Sequence, residues 1–220
     1  VANDPGGREK LLALGVRNVP VVARGENYVF GQNLEDVAEF VGLQGTGHTP
    51  LPPDQLMRKW VLVLRALQRY ARQMPTERIH ENVIDNRQRS IRLLHHHAFR
   101  IAEAFLESVI EGKDYAVQHA NVPPKDGTHL TGAEIADYGE GVIARLQKWW
   151  DGVEDKTLST RIRTYYGMQP MATVFERSTW HSAQHARQLA HVLERFGIAP
   201  DGKLTPEDLA GLPLPERLFE

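Results

Sequence analysis

A mostly α-helical fold, a four-helix bundle preceded by a small α/β fragment, is what three features of this 220-residue sequence predict. Four long segments repeat apolar residues at the i, i+3, i+4, i+7 spacing of a buried helix face. A stretch rich in Gly and Pro, residues 44–53 (QGTGHTPLPP), separates them from the N-terminus. Residues 1–43 show no such long periodicity and carry two short β-type runs between turn signals. The predicted layout is an α/β module over 1–43, a linker over 44–53, a bundle over 54–198 and an extension over 199–220.

The module begins with a helical pattern over Gly7–Leu14, closed by Gly15 as a C-cap. Val19, Val21 and Val22 around Pro20 predict one strand and Tyr28–Phe30 a second, with Gly25 and Glu26 turning between them. Asn33 then caps a helix over Leu34–Val41 that stops at Gly42. In the bundle, the first helix spans about Asp54–Met74 with Leu56, Trp60, Val63, Leu64, Leu67 and Ala71 inward. The second runs from about Arg87 to Ile110 along Ile91, Leu94, Ala98, Ile101 and Phe105. The third follows the cap Thr131 and carries Ile135, Val142, Ile143, Leu146, Trp149 and Trp150. The fourth covers about Met171–Phe196 and ends at Gly197. The connections 111–130 and 151–170 exceed tight bundle turns and are expected to cover an end of the bundle. Pro206, Pro213 and Pro215 mark the tail as a short helix and an extended arm.

Bulk composition narrows the function classes. Lys and Arg number 26 against 28 Asp and Glu, so the net charge of −2 gives no basic field for nucleic acid or an anionic membrane. No apolar run reaches the roughly 18–20 residues of a membrane span. No leader pattern opens the chain, which predicts a cytoplasmic protein. Its first residue, Val1, suggests processing or a longer parent chain. Cysteine is absent, which removes disulfides, thiolate ligands and a cysteine nucleophile together. Ten histidines stand out against that background, since imidazole is the remaining good ligand for zinc, nickel or iron.

On the fourth helix, His181 and His185 lie one turn apart on the same face, so both rings can reach one ion. His185 falls on the inward stripe with Val174, Leu189 and Phe196, His181 at its edge, and His191 elsewhere. The second helix offers His95, His96 and His97. His96 projects away from the apolar stripe while His95 and His97 flank it, and periodicity does not choose between those two. The spacing His-x3-His alone is common, and the zincin form requires a Glu where Ser182 stands. Inward histidines on two facing helices are the stronger sign, because bundles build metal sites that way.

With these residues in view, the segment 54–197 resembles the DinB/YfiT-like superfamily of metal-dependent four-helix enzymes. The resemblance rests on SIRLLHHH, with the family's His at the eighth place from Ser90, and on WHSAQHARQLAHVLERFGI, with His-x3-His, a Gln-Leu and a closing Gly-Ile. It implies His97, His181 and His185 as ligands of one divalent ion, zinc first and nickel, iron or manganese as alternatives. Three imidazoles with an open position are the pattern of a catalytic site. The N-terminal segment is similar to the second half of a glutaredoxin, a thioredoxin-like fold. GVRNVPVV matches its Thr-Val-Pro segment, whose proline is cis, and GQNLEDVAEFVGL its Gly-rich turn and last helix. That likeness implies glutathione contacts at Val19 and Pro20. Asn18 departs from the family's Thr, and no Cys motif is present, so the fragment is expected to perform no thiol redox chemistry itself.

Relatives of the bundle include transferases and isomerases that use low-molecular-weight thiols such as bacillithiol and mycothiol, maleylpyruvate isomerase among them. The resemblance therefore implies a metal- and glutathione-dependent transferase, isomerase or dehalogenase acting on a small electrophile. The rival readings are a metal-dependent hydrolase, with water replacing the thiol, and a non-catalytic metal-binding stress-response module. Just before the fourth helix, LSTRIRTYYGMQP offers Arg163 for a carboxylate, with Arg161 more simply solvated, and Tyr165 and Tyr166 as phenolic acids or donors. Trp180 lies off the stripe beside His181, where it covers the site or a homodimer contact. Arg187 reads as a surface residue.

Overall fold

Helices dominate the structure, a computed structural model that describes residues 5–16, 19–44, 47–85 and 87–219. The chain divides into two units, Val1–Thr49 and Pro50–Glu220, at a point inside the Gly- and Pro-rich stretch.

The first unit runs α1 (Pro5–Ala13), β1 (Val21–Arg24), β2 (Asn27–Phe30) and α2 (Leu34–Val41). The two strands pair antiparallel, with Val21 opposite Phe30 and Arg24 opposite Asn27. Gly25, at φ 62°, supplies the left-handed residue this tight turn requires. Asn33 caps α2, its Oδ1 accepting the Glu35 N–H at 3.0 Å. The Val19–Pro20 peptide is cis, the isomer the glutaredoxin resemblance implies. The Pro20 carbonyl accepts the Gly31 N–H at 2.9 Å, which ties the segment before β1 to the end of β2. Asn18 lies outside the described residues.

The second unit runs α3 (Pro53–Gln73), β3 (Asn82–Ile84), β4 (Arg87–Ser90), α4 (Ile91–Glu111), α5 (Val117–Ala120), α6 (Gly132–Gly152), β5 (Arg161–Thr164), β6 (Gly167–Pro170), α7 (Met171–Arg195) and α8 (Pro206–Leu209). Its four long helices bury their apolar stripes against one another, α3 and α4 each packing on both α6 and α7. Trp60, Tyr70, Phe99, Phe105 and Phe175 are fully enclosed. Burial on this scale stabilises by roughly 1.5–3 kcal/mol for each large apolar side chain. Trp60, Phe105 and Phe175 form one aromatic group, with centroids 5.1–5.6 Å apart. Among the described residues no helix is long and apolar enough to cross a membrane.

Helix α6 approaches α4 closely because Gly139 carries no side chain. A Cβ there would stand 2.5 Å from the Phe99 ring. Gly139→Ala is therefore expected to lower stability by about 1–3 kcal/mol despite alanine's better helix propensity, read as a fall in the urea midpoint.

One local expectation needs correction. α4 begins at Ile91, not near Arg87, because Arg87–Ser90 pairs antiparallel with Asn82–Ile84. Ser90 closes that strand and caps the helix, its Oγ accepting the Leu93 N–H at 3.2 Å. The connection 151–170 contains a hairpin, β5–β6, joined to the other long connection where Tyr115 N–H donates to the Arg163 carbonyl at 2.9 Å. Beyond α7 the tail turns back over the helices. Tyr70 Oη accepts the Leu204 N–H at 3.2 Å, and Arg69 Nε donates to the Asp201 carbonyl at 3.0 Å.

Candidate metal centre

A buried relay sets the relative register of α3, α4 and α7. Trp60 Nε1–H donates to Ser182 Oγ at 3.1 Å, and Ser182 Oγ–H donates to the Ala98 carbonyl at 3.1 Å. Ser182 follows His181 and Ala98 follows His97, so this relay holds the two histidine-bearing turns level. Each is a hydrogen bond that would leave buried polar atoms stranded if the helices slid.

His97 on α4 meets His181 and His185 on α7, and the three offer ligand atoms that all lie within 4.8 Å of one another. Ring centroids stand 5.3 Å apart for His97–His181, 5.0 Å for His97–His185 and 4.8 Å for His181–His185. His97 and His185 are buried and His181 is half-buried. His97 Nδ1 contacts the Ala120 carbonyl at 2.7 Å, and His185 Nδ1 contacts Gln188 Oε1 at 2.8 Å. Both partners are carbonyl oxygens that only accept, so both Nδ1 atoms carry the proton and Nε2 bears the lone pair. His181 Nδ1 is buried with no hydrogen-bond partner.

Electrostatics keep His97 and His181 neutral. Burial pushes His97 well below the usual imidazole range, with further lowering by His185 and Arg89. Burial does the same for His181, reinforced by His185, His97, Arg177 and Arg89. Lone pairs are therefore available at neutral pH, as metal binding requires. The donor set, the carbonyl partners that fix two tautomers and the stranded Nδ1 of His181 together fit a divalent ion.

His97 also walls a cleft of about 390 Å³ with Arg89, Leu93, His96, Asn121 and Val122. Arg177 stands one turn before His181 on α7 and bonds Tyr115, whose hydroxyl lies 3.2 Å from Ser178 Oγ. Tyr165 and Tyr166 share Arg177 as a charged neighbour with His181. Burial raises both phenols above their ordinary value. Trp180 is half-buried, its ring 5.8 Å from that of His181.

Other predicted residues stand elsewhere. His95, the rival third ligand, is fully buried outside the triad, and burial takes its pKa down to about 3. His96, which projects away from the apolar stripe, is not solvated for that. It is buried because the 111–130 connection covers it, with Nε2 3.0 Å from the Val122 carbonyl and its ring stacked on Tyr138 at 5.1 Å. Arg163 is exposed and faces Asp114 at 3.8 Å, not the histidines. Arg161 is exposed too and bonds the Met168 carbonyl within its own hairpin. Arg187 is not a free surface residue, since it donates to Gln184 Oε1 at 2.7 Å and to the Pro215 carbonyl at 2.8 Å. His191 is exposed, its ring 5.8 Å from that of Phe219. Val19 is exposed, and its carbonyl accepts Gln32 Nε2–H at 3.3 Å.

Sequence reasoning missed Arg89, Arg177, Gln188 and the Ala120 carbonyl. Arg177 and Gln188 carried a usable signal, lying four before His181 and three after His185 on one helix. The other two are brought in by a hairpin and by the end of the short helix α5, and carried none. Compared with known protein families, curated proteins and solved structures, the chain gives no match.

Proposed function

We propose that the second unit is a DinB-like four-helix bundle whose histidine triad holds one divalent ion for thiol-dependent transfer, isomerisation or dehalogenation of a small electrophile. The observation that carries this reading is the convergence of three imidazoles, from two helices, on one point beside a cleft. His97, His181 and His185 would hold the ion, and zinc suits an all-imidazole set best, ahead of nickel, iron and manganese. When bound, such an ion supplies a Lewis acid that keeps a thiol ionised near neutral pH.

The surrounding side chains support this chemistry. With no cysteine in the chain, the thiolate comes from a cosubstrate. Arg89 and Arg177 set positive charge beside the triad, which favours a thiolate or carboxylate in the site. Tyr165 and Tyr166 stay protonated at neutral pH, able to donate a hydrogen bond or a proton to a departing group. Trp180, its ring 5.8 Å from that of His181, stands where it would flank a bound substrate. The likeness of the first unit to the second half of a glutaredoxin supports glutathione as the thiol.

The test follows loss of free glutathione against a panel of activated halides, epoxides and enones. Consumption is expected only when protein, metal and glutathione are all present, with activity lost on chelation and restored by zinc. Metal-dependent cleavage of esters or amides without glutathione would replace this reading with a hydrolase. Tight zinc binding with neither activity would leave a non-catalytic metal-binding module.

A further inference from the structure

We infer that the C-terminal segment Leu212–Phe219 sets the tautomer of His185 through Gln188, and so belongs to the metal centre. The inference rests on the metal-site reading above. This segment runs back along α7 and is seated by Leu212, which is buried in the core. Gln184 Nε2 donates to the Leu218 carbonyl at 2.8 Å, and Arg187 Nη1 donates to the Pro215 carbonyl at 2.8 Å. Those two contacts only hold the segment. Gln188 does more, because it has one end on the segment and the other on a ligand.

Gln188 Nε2 donates to the Leu218 carbonyl at 2.8 Å, while its Oε1 lies 2.8 Å from His185 Nδ1. A backbone carbonyl only accepts, so Leu218 takes the NH2 end of the amide and fixes which way it points. The oxygen end must then face His185. Because that oxygen only accepts, Nδ1 must carry the imidazole's single proton, and Nε2 keeps the lone pair a metal needs. Without the Leu218 carbonyl the same amide can turn over and offer its NH2 to Nδ1. That arrangement favours the Nε2–H tautomer, which removes the lone pair from Nε2. Gln188 is thus a positioning residue, and through it the segment governs whether His185 can ligate. The amide is 7% exposed, so water competes poorly for either end.

The test uses the full chain, labelled with 15N at histidine and freed of metal, with ring tautomers read by long-range proton–nitrogen correlations. His185 is expected as Nδ1–H in the parent protein. Leu212→Asp, which unseats the segment, should populate Nε2–H and weaken zinc binding by about 10-fold, at the lower end of the 10–100-fold range for lost supporting contacts. Gln188→Leu should weaken zinc binding similarly. Gln188→Glu offers only acceptors, so it should keep Nδ1–H and restore near-parental zinc affinity even in the Leu212→Asp background. Misfolding would not be rescued by that carboxylate. An unchanged tautomer and a zinc affinity within twofold in Leu212→Asp would overturn the inference, as would failure of Gln188→Glu to rescue. If the parent protein takes up no zinc, the metal reading fails by itself, while the metal-free spectra still decide whether the segment controls His185.

Discussion

Alanine at His97, His181 or His185 is expected to weaken zinc binding by more than about 100-fold, beyond the 10–100-fold cost of losing a supporting hydrogen bond. Each ring is one of three protein donors in the group, and among the described residues no fourth stands ready to replace it. Competition against a chromophoric chelator reads the effect directly. His95→Leu is the control, because His95 is the other candidate that helical periodicity leaves open. It should leave zinc affinity within about twofold, since His95 lies outside the triad. A loss at His95 equal to that at His97 would show that the third ligand has been misassigned.

The second large effect concerns stability. Glu103→Ala is expected to cost about 3 kcal/mol, on the order seen when one partner of a buried ion pair is removed. Glu103 lies between α4 and α6, accepting Tyr138 Oη–H at 2.6 Å and Arg145 Nη1–H at 2.6 Å, with Arg100 Nη1 at 3.4 Å. Arg100 is 8% exposed in its side chain and would keep only Glu107, at 2.9 Å. Tyr138 would lose its buried acceptor outright. Burial pushes the Glu103 carboxyl upward, but the Tyr138 and Arg145 hydrogen bonds and the Arg100 charge outweigh it and hold the group below its ordinary 4.5. A depressed folded pKa means that this stabilisation is present above about pH 4.5 and is lost as pH falls through the folded value. The gap between parent and variant urea midpoints should therefore be largest at pH 7 and shrink under acid. A gap that does not change down to pH 3 would contradict the ionised network.

How much of this was legible beforehand depends on whether a feature is local. His181 and His185 emerge as a pair from their spacing alone, because four residues are close to one turn of any α-helix. The four long helices, the caps Asn33 and Thr131, and the turn at Gly25 are equally local: each is written in side chains a few positions apart. The third ligand is different. His95, His96 and His97 are all buried, and periodicity counts only apolar residues, so it could not foresee that the 111–130 connection would cover His96. The DinB-like register pointed to His97, and the assembled helices bring that ring, not His95, to the α7 pair. The start of α4 was misplaced because the polar run Arg87–Ser90 has no strand signature until it finds β3 as a partner.

The sequence by itself therefore determined the helices, the absence of any protein thiol and the His181–His185 pair, since composition and short-range spacing suffice for those. Only the tertiary structure decided that His97 completes the triad, that Arg89 and Arg177 surround it with positive charge, and that the Ala120 carbonyl orients His97 while Gln188, itself held by the Leu218 carbonyl, orients His185. The physical reason is that a backbone carbonyl looks the same at every residue. Its role exists only once the chain has folded back to place it 2.7–2.8 Å from a donor.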